Sequence, residues 1–388
     1  MPDHTAAAMT FGLSEDQLEL AAMCRDFADN ELAPHALEWD AEHHFPVDVI
    51  RKTAELGMGG IYVPEESGGS GLSRLDAAVI FEQLSTADPS IASYISIHNM
   101  VAWMVDTYGT DEQREQWLHP LVSFEHLGSY CLTEPNAGSD AAALKTSARL
   151  DGDHYVLNGV KQFISGAGSS HTYLVMARTG QEGARGITAF LLSEGMEGLS
   201  FGVNELKMGW RAQPTRQVIM ENVHVPVKNV LGEVGQGFKI AMSGLNGGRL
   251  NIGACSLGGG QAALEKALSY MSERQAFGSD LLGFQALRFR LADMQTRLET
   301  ARSLLWRAAG AYDAGDPRVT ELTAMAKLAA TDAGFEVANQ ALQLFGGYGY
   351  LNEYGIEKLV RDLRVHQILE GTNEIMRVII SRKTTGVG

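Results

Sequence analysis

Apolar residues change their spacing twice along this chain. From Ser14 to about Leu127 the spacing is helical, and Leu18, Ala21, Ala22, Phe27 and Leu32 mark a first helix that should end near Pro34. The same periodicity returns in PVDVIRKTAELG, RLDAAVIFEQLST and EQREQWLHPLV, separated by Gly, Pro and Ser clusters. Between Gly128 and about Gly232 the runs shorten and alternate, so HYVLNGVKQFI, TYLVMAR, ITAFLLS and RQVIMENVHV read as strands. Past Gly235 long helical patterns cover about 238–272, 284–314 and 318–345. A short helix then opens after Thr372, with Ile375, Met376, Ile379 and Ile380 along it. The pattern predicts an α+β chain, mainly α, in three units: helical over 1–127, β over 128–232 and helical again over 233–388. No internal repeat or low-complexity tract interrupts it.

Charge narrows the range of partners. Lys and Arg number 31 against 47 Asp and Glu, a formal net charge of −16, which disfavours nonspecific binding to nucleic acid or an anionic membrane. An anionic ligand remains compatible with this balance if a few arginines gather at its site. The three cysteines, Cys24, Cys131 and Cys255, are far apart and form no CxxC pair, so reduced thiols are expected and no metal site. The opening MPDHTAAAMTFGLSEDQ has neither the basic start nor the apolar core of a signal peptide, and no apolar run is long enough to span a bilayer. The expected location is the cytoplasm of a bacterium, or the mitochondrial matrix for a mature eukaryotic form.

Several chemistries lack their motifs. There is no GxSxG elbow, no GxxxxGK[ST] phosphate loop and no HExxH zinc helix. Gly258, Gly260 and Ala263 fit the dinucleotide-binding spacing, but Phe238, Met242, Leu245, Arg249 and Ile252 put a helix where that fingerprint requires a strand. Close helix–helix packing is the better reading of those glycines. The adjacent His43 and His44 would not face each other on a helix and suggest no metal site.

One carboxylate stands out in HQILEGTNEIMR. Glu370 follows the apolar Ile368 and Leu369, precedes Gly371, and lies just before a helix capped by Thr372 or Asn373. A desolvated carboxylate there has a raised pKa and becomes a proton acceptor near neutral pH. The bland alternative, a favourable interaction with the helix dipole, suits Glu374 in the first turn better than Glu370. Elsewhere, YCLTEPNAGSDAAALKTSA runs from a strand into a loop of small hydrogen-bonding residues, and KQFISGAGSS ends a strand on Phe163 and Ser165. An aromatic beside hydroxyls suits a flat heteroaromatic ring with polar edges. SERQAFG, continued by Phe284 and Gln285, and QLFGGYGY, whose glycines let backbone approach a ligand closely, complete the set.

In order and spacing, these four elements together with LEGTNE resemble the acyl-CoA dehydrogenase family over nearly the whole chain. HNMVAWMVDTYG, GWRAQPTR, GLNGGRLNIGACSLG, GGYGYL and RVHQILEGTNE carry a closer likeness to members acting on short α-branched thioesters, isobutyryl-CoA first among them. The resemblance implies an N-terminal helical domain, a middle β-barrel-like domain and a C-terminal four-helix bundle. It further implies noncovalent FAD, a homotetramer and an electron-transfer flavoprotein as electron acceptor.

By the same resemblance Glu370 removes the α-proton of an acyl-CoA while hydride passes from the β-carbon to flavin N5. The backbone N–H of Glu370 and the FAD ribityl 2′-hydroxyl would stabilise the thioester oxygen. Tyr130, Leu132 and Thr133 would edge the flavin, with Phe163, Ile164 and Ser165 against its ring; many members have Trp and Thr where this chain has Phe163 and Ser165. Arg274, Phe284 and Gln285 would hold the pyrophosphate and adenine end. Gln343, Leu344, Phe345, Gly346 and Gly347 would reach a neighbouring subunit's FAD, and Thr372, Asn373 and Glu374 would touch the cofactor as well.

For substrate, the implied contacts are Ser139, which also borders the cofactor, Asn246, Gly247, Gly248, Arg249 and Arg382. Some relatives carry the base immediately before the arginine matching Arg249; here that position is Gly248, which has no acid to offer. Two other classes compete with a dehydrogenase. An acyl-CoA oxidase would make peroxide and is usually a much longer chain, and a non-catalytic acyl-CoA-binding paralogue should lack the base.

Overall fold

Ser14 caps the first helix, α1 (Glu15–Phe27), through a reciprocal box with Gln17, and a wider turn over Ala28–Leu32 ends it before Pro34 as expected. The structure is a computed structural model that describes residues 12–387, so most of the N-terminal run read for targeting signals lies outside the described residues. Short helices α2 (Ala36–Glu42) and α3 (Val47–Lys52) follow, then α4 (Arg74–Ala87), capped by Ser73. Helix α5 (Pro89–Tyr108) is capped by Asp88, which accepts from the N–H groups of Ser90 and Ile91. It is buried on almost every face, leaving no polar stripe from which periodicity could announce it.

The middle unit is an eight-stranded sheet: β1 (Gly128–Cys131), β2 (Ser147–Asp151), β3 (His154–Ser165), β4 (Thr172–Arg178), β5 (Ile187–Ser193), β6 (Leu199–Phe201), β7 (Thr215–Pro226) and β8 (Val230–Leu231). Its spatial order is β6-β7-β3-β2-β4-β5-β8, with β1 added parallel to β4. The β3–β7 ladder slips in register between Lys161 and Ile164, a bulge that re-aims the residues inside it.

Five helices complete the chain: α6 (Gly237–Glu273), α7 (Gln285–Asp313), α8 (Val319–Phe345), α9 (Ile356–Arg364) and α10 (Asn373–Thr385). Phe81 and Leu84 of α4 share one core with Leu257 of α6, Leu298 of α7 and Val337 of α8. A second core joins Met100 and Met104 of α5 to Leu174 and Leu191 of the sheet and Ile240 of α6.

Gly258 and Gly260 serve packing, with unbroken helix around them. A Cβ at Gly258 would overlap the Glu82 carbonyl of α4, and one at Gly260 would lie 3.0 Å from the Cα of Gly334 on α8. Among the described residues no helix is long and apolar enough to cross a membrane, and no three His, Cys, Asp or Glu side chains gather as a metal site.

A buried polar network joins the loop between β6 and β7 to the segment before Glu370. Lys358 donates to Asp88 at 3.0 Å and to Asp362 at 2.7 Å, and Asp362 accepts from the backbone N–H of Trp210 at 2.6 Å. The Trp210 indole donates to His366 at 3.1 Å, and the other imidazole nitrogen meets Ser256 of α6 at 2.7 Å.

Candidate active site

Thr372 caps α10, accepting from the N–H of Ile375 at 3.3 Å. Immediately before this cap, Glu370 and Gly371 both have positive φ, 58° and 89°. Glycine adopts such angles freely, but in a glutamate they store strain of about 1–3 kcal/mol that the surroundings must hold. Two cations do so. Arg249 Nε donates to the Glu370 carbonyl at 3.3 Å, and Lys327 Nζ donates to the Gly371 carbonyl at 2.9 Å and to Asn373 Oδ1 at 2.8 Å.

The Glu370 carboxyl lies against α6. A Cβ built on Gly248 would sit 2.8 Å from the Glu370 Cδ and closer still to Oε2, so glycine at 248 is what leaves room for the acid. Oε2 is enclosed and has no hydrogen-bond partner. Burial raises the carboxyl pKa to about 7, although Arg249 and Lys327 oppose the rise. Glu370 therefore sits where a proton acceptor is useful at neutral pH. Tyr130 brings a second enclosed, unpartnered group, its hydroxyl, whose pKa is raised by burial and by Glu370.

Not every expected contact holds. Ile368 is 51% exposed and does not dry the acid, which is instead enclosed by the approach to α6. Arg249 is buried and committed to this loop and to Asn246, whose Oδ1 it meets at 2.9 Å. Gly247 leaves room for Arg74, a residue the motifs did not flag, whose guanidinium lies 3.5 Å from the centre of the Tyr62 ring. The Asn373 side chain faces inward, donating to Thr331 at 3.0 Å and to Asp332 at 2.7 Å. Lys327 was also missed; its only signal is a lone cation in the apolar run of helix α8.

The expected ring-binding residues gather on the sheet. Thr133 and Gln162 are joined by a backbone bond of 2.8 Å, bringing the end of β1 beside the β3 bulge. There Phe163 has φ 60° and is 64% exposed, so the bulge presents its ring outward. Ser165 is half-buried, while the Ile164 side chain turns into the sheet core and leaves its backbone to face a ligand. An exposed aromatic with Thr133 and Ser165 beside it fits a flat heteroaromatic ring with polar edges.

Arg274 and the 343–347 segment meet in a separate open cleft of about 600 Å³, with Arg290 and Tyr348 also on its walls. Added Cβ atoms at Gly346 or Gly347 would meet nothing within 4 Å, so this backbone is open to a ligand. Phe284, packed edge-on against Phe277, and the exposed Gln285 stand next to the cleft in sequence but are absent from its walls. Ser139 and Glu374 are exposed, and Arg382 is exposed in the last turn of α10.

Comparison with known proteins covers the same ground. Profiles of the acyl-CoA dehydrogenase N-terminal, middle and C-terminal domains match residues 14–125, 129–223 and 235–385. The chain is 55% identical over 373 residues to the mitochondrial isobutyryl-CoA dehydrogenase of Dictyostelium discoideum, covering 96% of this chain and 90% of that protein. It is 41% identical to the short-chain specific acyl-CoA dehydrogenase of Clostridium acetobutylicum, over 97% of this chain and 99% of that one. The solved structure of butyryl-CoA dehydrogenase from Megasphaera elsdenii superposes with a TM-score of 0.93 at 38% identity, covering 97% of this chain and all of the other.

Proposed function

This chain belongs to the acyl-CoA dehydrogenase family of FAD-dependent enzymes, and from that premise we propose that it converts isobutyryl-CoA to methacrylyl-CoA with Glu370 as the base. The observation that carries the catalytic part is the enclosed, unpartnered Oε2 of Glu370, on a carboxyl poised at about 7. Glu370 takes the proton from the α-carbon. Its backbone N–H makes no hydrogen bond among the described residues and is free to stabilise the thioester oxygen as negative charge develops. Bound FAD would supply the acceptor for the hydride that leaves the β-carbon. Tyr130, Leu132, Thr133, Phe163 and Ser165 hold the flavin ring, and Asn246 to Arg249 with Ser139 line the substrate.

Identity of 55% to an isobutyryl-CoA dehydrogenase, against 41% to a short-chain enzyme, supports the α-branched substrate. Gly248 adds a second support, because it lets the Glu370 carboxyl lie directly against α6 and so keeps the space beside the base short. The test compares kcat/KM for isobutyryl-, 2-methylbutyryl-, butyryl-, isovaleryl- and octanoyl-CoA under identical conditions. Isobutyryl-CoA should lead. A neighbour differing by one methylene should trail by about 10- to 200-fold, and octanoyl-CoA should react very poorly. A clear win for butyryl- or octanoyl-CoA would refute the branched-chain assignment and leave the dehydrogenase standing.

We also propose that the Arg274 cleft serves the FAD of a neighbouring subunit in a homotetramer. Arg249 is on α6 and Arg274 caps the far end of that helix, about 37 Å away at helical rise, so the cleft lies well apart from the Glu370 site of the same chain. Exposed Phe277 and Tyr350 near the cleft, at 99% and 82%, support a face covered by another copy. Arg274→Ala should therefore weaken FAD retention by about 10- to 100-fold, read as the flavin-to-protein ratio after gel filtration. A monomer that keeps tight FAD would contradict the arrangement. Family membership supports an electron-transfer flavoprotein as the acceptor.

A further inference from the structure

Lys327 takes no direct part in the chemistry above, yet it is completely buried in α8 and its ammonium points at the loop carrying Glu370. A lysine in an apolar interior is unfavourable unless something requires it. Here the Gly371 carbonyl at 2.9 Å and Asn373 Oδ1 at 2.8 Å both accept from it. Asn373 is fixed in turn by Thr331 and Asp332, and Asp332 also accepts from Gln367 at 2.7 Å, on the far side of the Glu370 turn. The loop is thus tied on both sides of Glu370 to one helix, through residues 327 to 332.

We propose that Lys327 is a positioning residue for the dehydrogenation: it fixes the strained loop that aims Glu370, and its charge favours the ionised, proton-accepting carboxylate. The proposal rests on Glu370 being the base.

The charged groups around Lys327 come from every side. Glu370 lies on the loop, Glu374 on α10, Asp332 on α8 itself, Arg249 on α6, and His366 on the turn before the loop. Burial lowers the lysine pKa to about 8, with Glu370, Asp332 and Glu374 favouring the cation and Arg249 opposing it. Lys327 in turn lowers the pKa of Glu370. Two limbs should follow in the pH profile of kcat/KM. Activity rises as Glu370 loses its proton near 7, then falls as Lys327 loses its charge near 8 and its charge-assisted hold on the loop weakens. A merely structural lysine would produce neither the second limb nor any coupling to the first.

The test uses FAD-loaded, assembled enzyme with Lys327→Met and Lys327→Arg. Lys327→Met should lower kcat about 100-fold with KM nearly unchanged, and move the acid limb up by about one pH unit because the favourable charge has gone. Lys327→Arg keeps the charge at all working pH values, so its acid limb should stay in place and its alkaline limb should vanish. An acid limb unmoved in Lys327→Met, or an alkaline limb that survives in Lys327→Arg, overturns the proposal. If Lys327→Met does not fold, Lys327→Arg alone decides by its alkaline limb. Glu370→Gln measured alongside separates the two ideas. Retained turnover there means the base assignment has failed, whereas an inactive Glu370→Gln with an unmoved Lys327→Met profile sinks only the lysine's role.

Discussion

Glu370→Gln is expected to bind FAD and acyl-CoA as the parent does and to lose about 10³- to 10⁴-fold in kcat. Glutamine keeps the shape and the backbone at positive φ but cannot accept the α-proton. The enclosed Oε2 has no neighbouring acid ready to replace it, since position 248 is glycine and the nearest charged groups, Arg249 and Lys327, are cations. The same variant carries a stability signature of opposite sign. Folding raises the Glu370 pKa from 4.5 to about 7, so the folded state prefers the protonated acid and must tolerate an unfavourable ionised one at higher pH. That shift corresponds to at most about 3 kcal/mol, less for a group that is only half-buried overall. Glu370→Gln should melt above the parent at pH 8.5, with the advantage shrinking as pH falls through 7 and gone near 4.5. Stopped-flow reduction of the flavin and thermal melts across pH read both effects. Substantial turnover in the variant would move the base elsewhere, and equal melting temperatures at pH 8.5 would contradict the burial of the charge.

Much of this site was legible before any coordinates, because its parts are local. The LEGTNE run shows an acid ahead of a helix cap, and the apolar periodicity of α6, α7 and α8 ends at recognisable Gly and Pro breaks. Elements buried on all sides were harder to read. Helix α5 presents no stripe, and α9 hides Lys358 and Asp362 in a buried pair with Asp88, so its charges look like a solvated face. At the site, what escaped the sequence is what comes from far along the chain. Lys327 lies well upstream of the loop it holds, and Arg74 fills the space beside Gly247 from the other helical unit. Phe163 was chosen for its ring, but its outward aim depends on a register slip against β7, for which its own strand gives no cue. Ile368 failed as a shield because apolar character does not tell which way a residue in an irregular turn will face.

Gly248→Ala is expected to lower kcat about 100-fold while leaving the fold as stable as the parent or slightly more so. In a helix, alanine is favoured over glycine by up to about 1 kcal/mol, and at 248 what the added methyl meets first is a side chain. Its three nearest atoms are the two carboxylate oxygens and Cδ of Glu370, at 2.9 Å for Oε1 and 2.8 Å for Cδ. The acid must therefore swing aside, and a displacement of about 1 Å in a reacting group is enough to cost two orders of magnitude. Other glycines on the same helix supply the controls. At Gly253 an added methyl meets the flexible Leu305 Cδ1 at 2.8 Å, so Gly253→Ala should keep kcat within about threefold if the leucine yields. At Gly258 it would overlap the Glu82 carbonyl, which cannot yield, so Gly258→Ala should fail by losing folded protein. One substitution at three positions along α6 thus predicts three outcomes: lost turnover, little change, and lost fold. If Gly248→Ala instead lost stability while its remaining folded fraction turned over normally, the carboxyl of Glu370 would not be working from its place against α6.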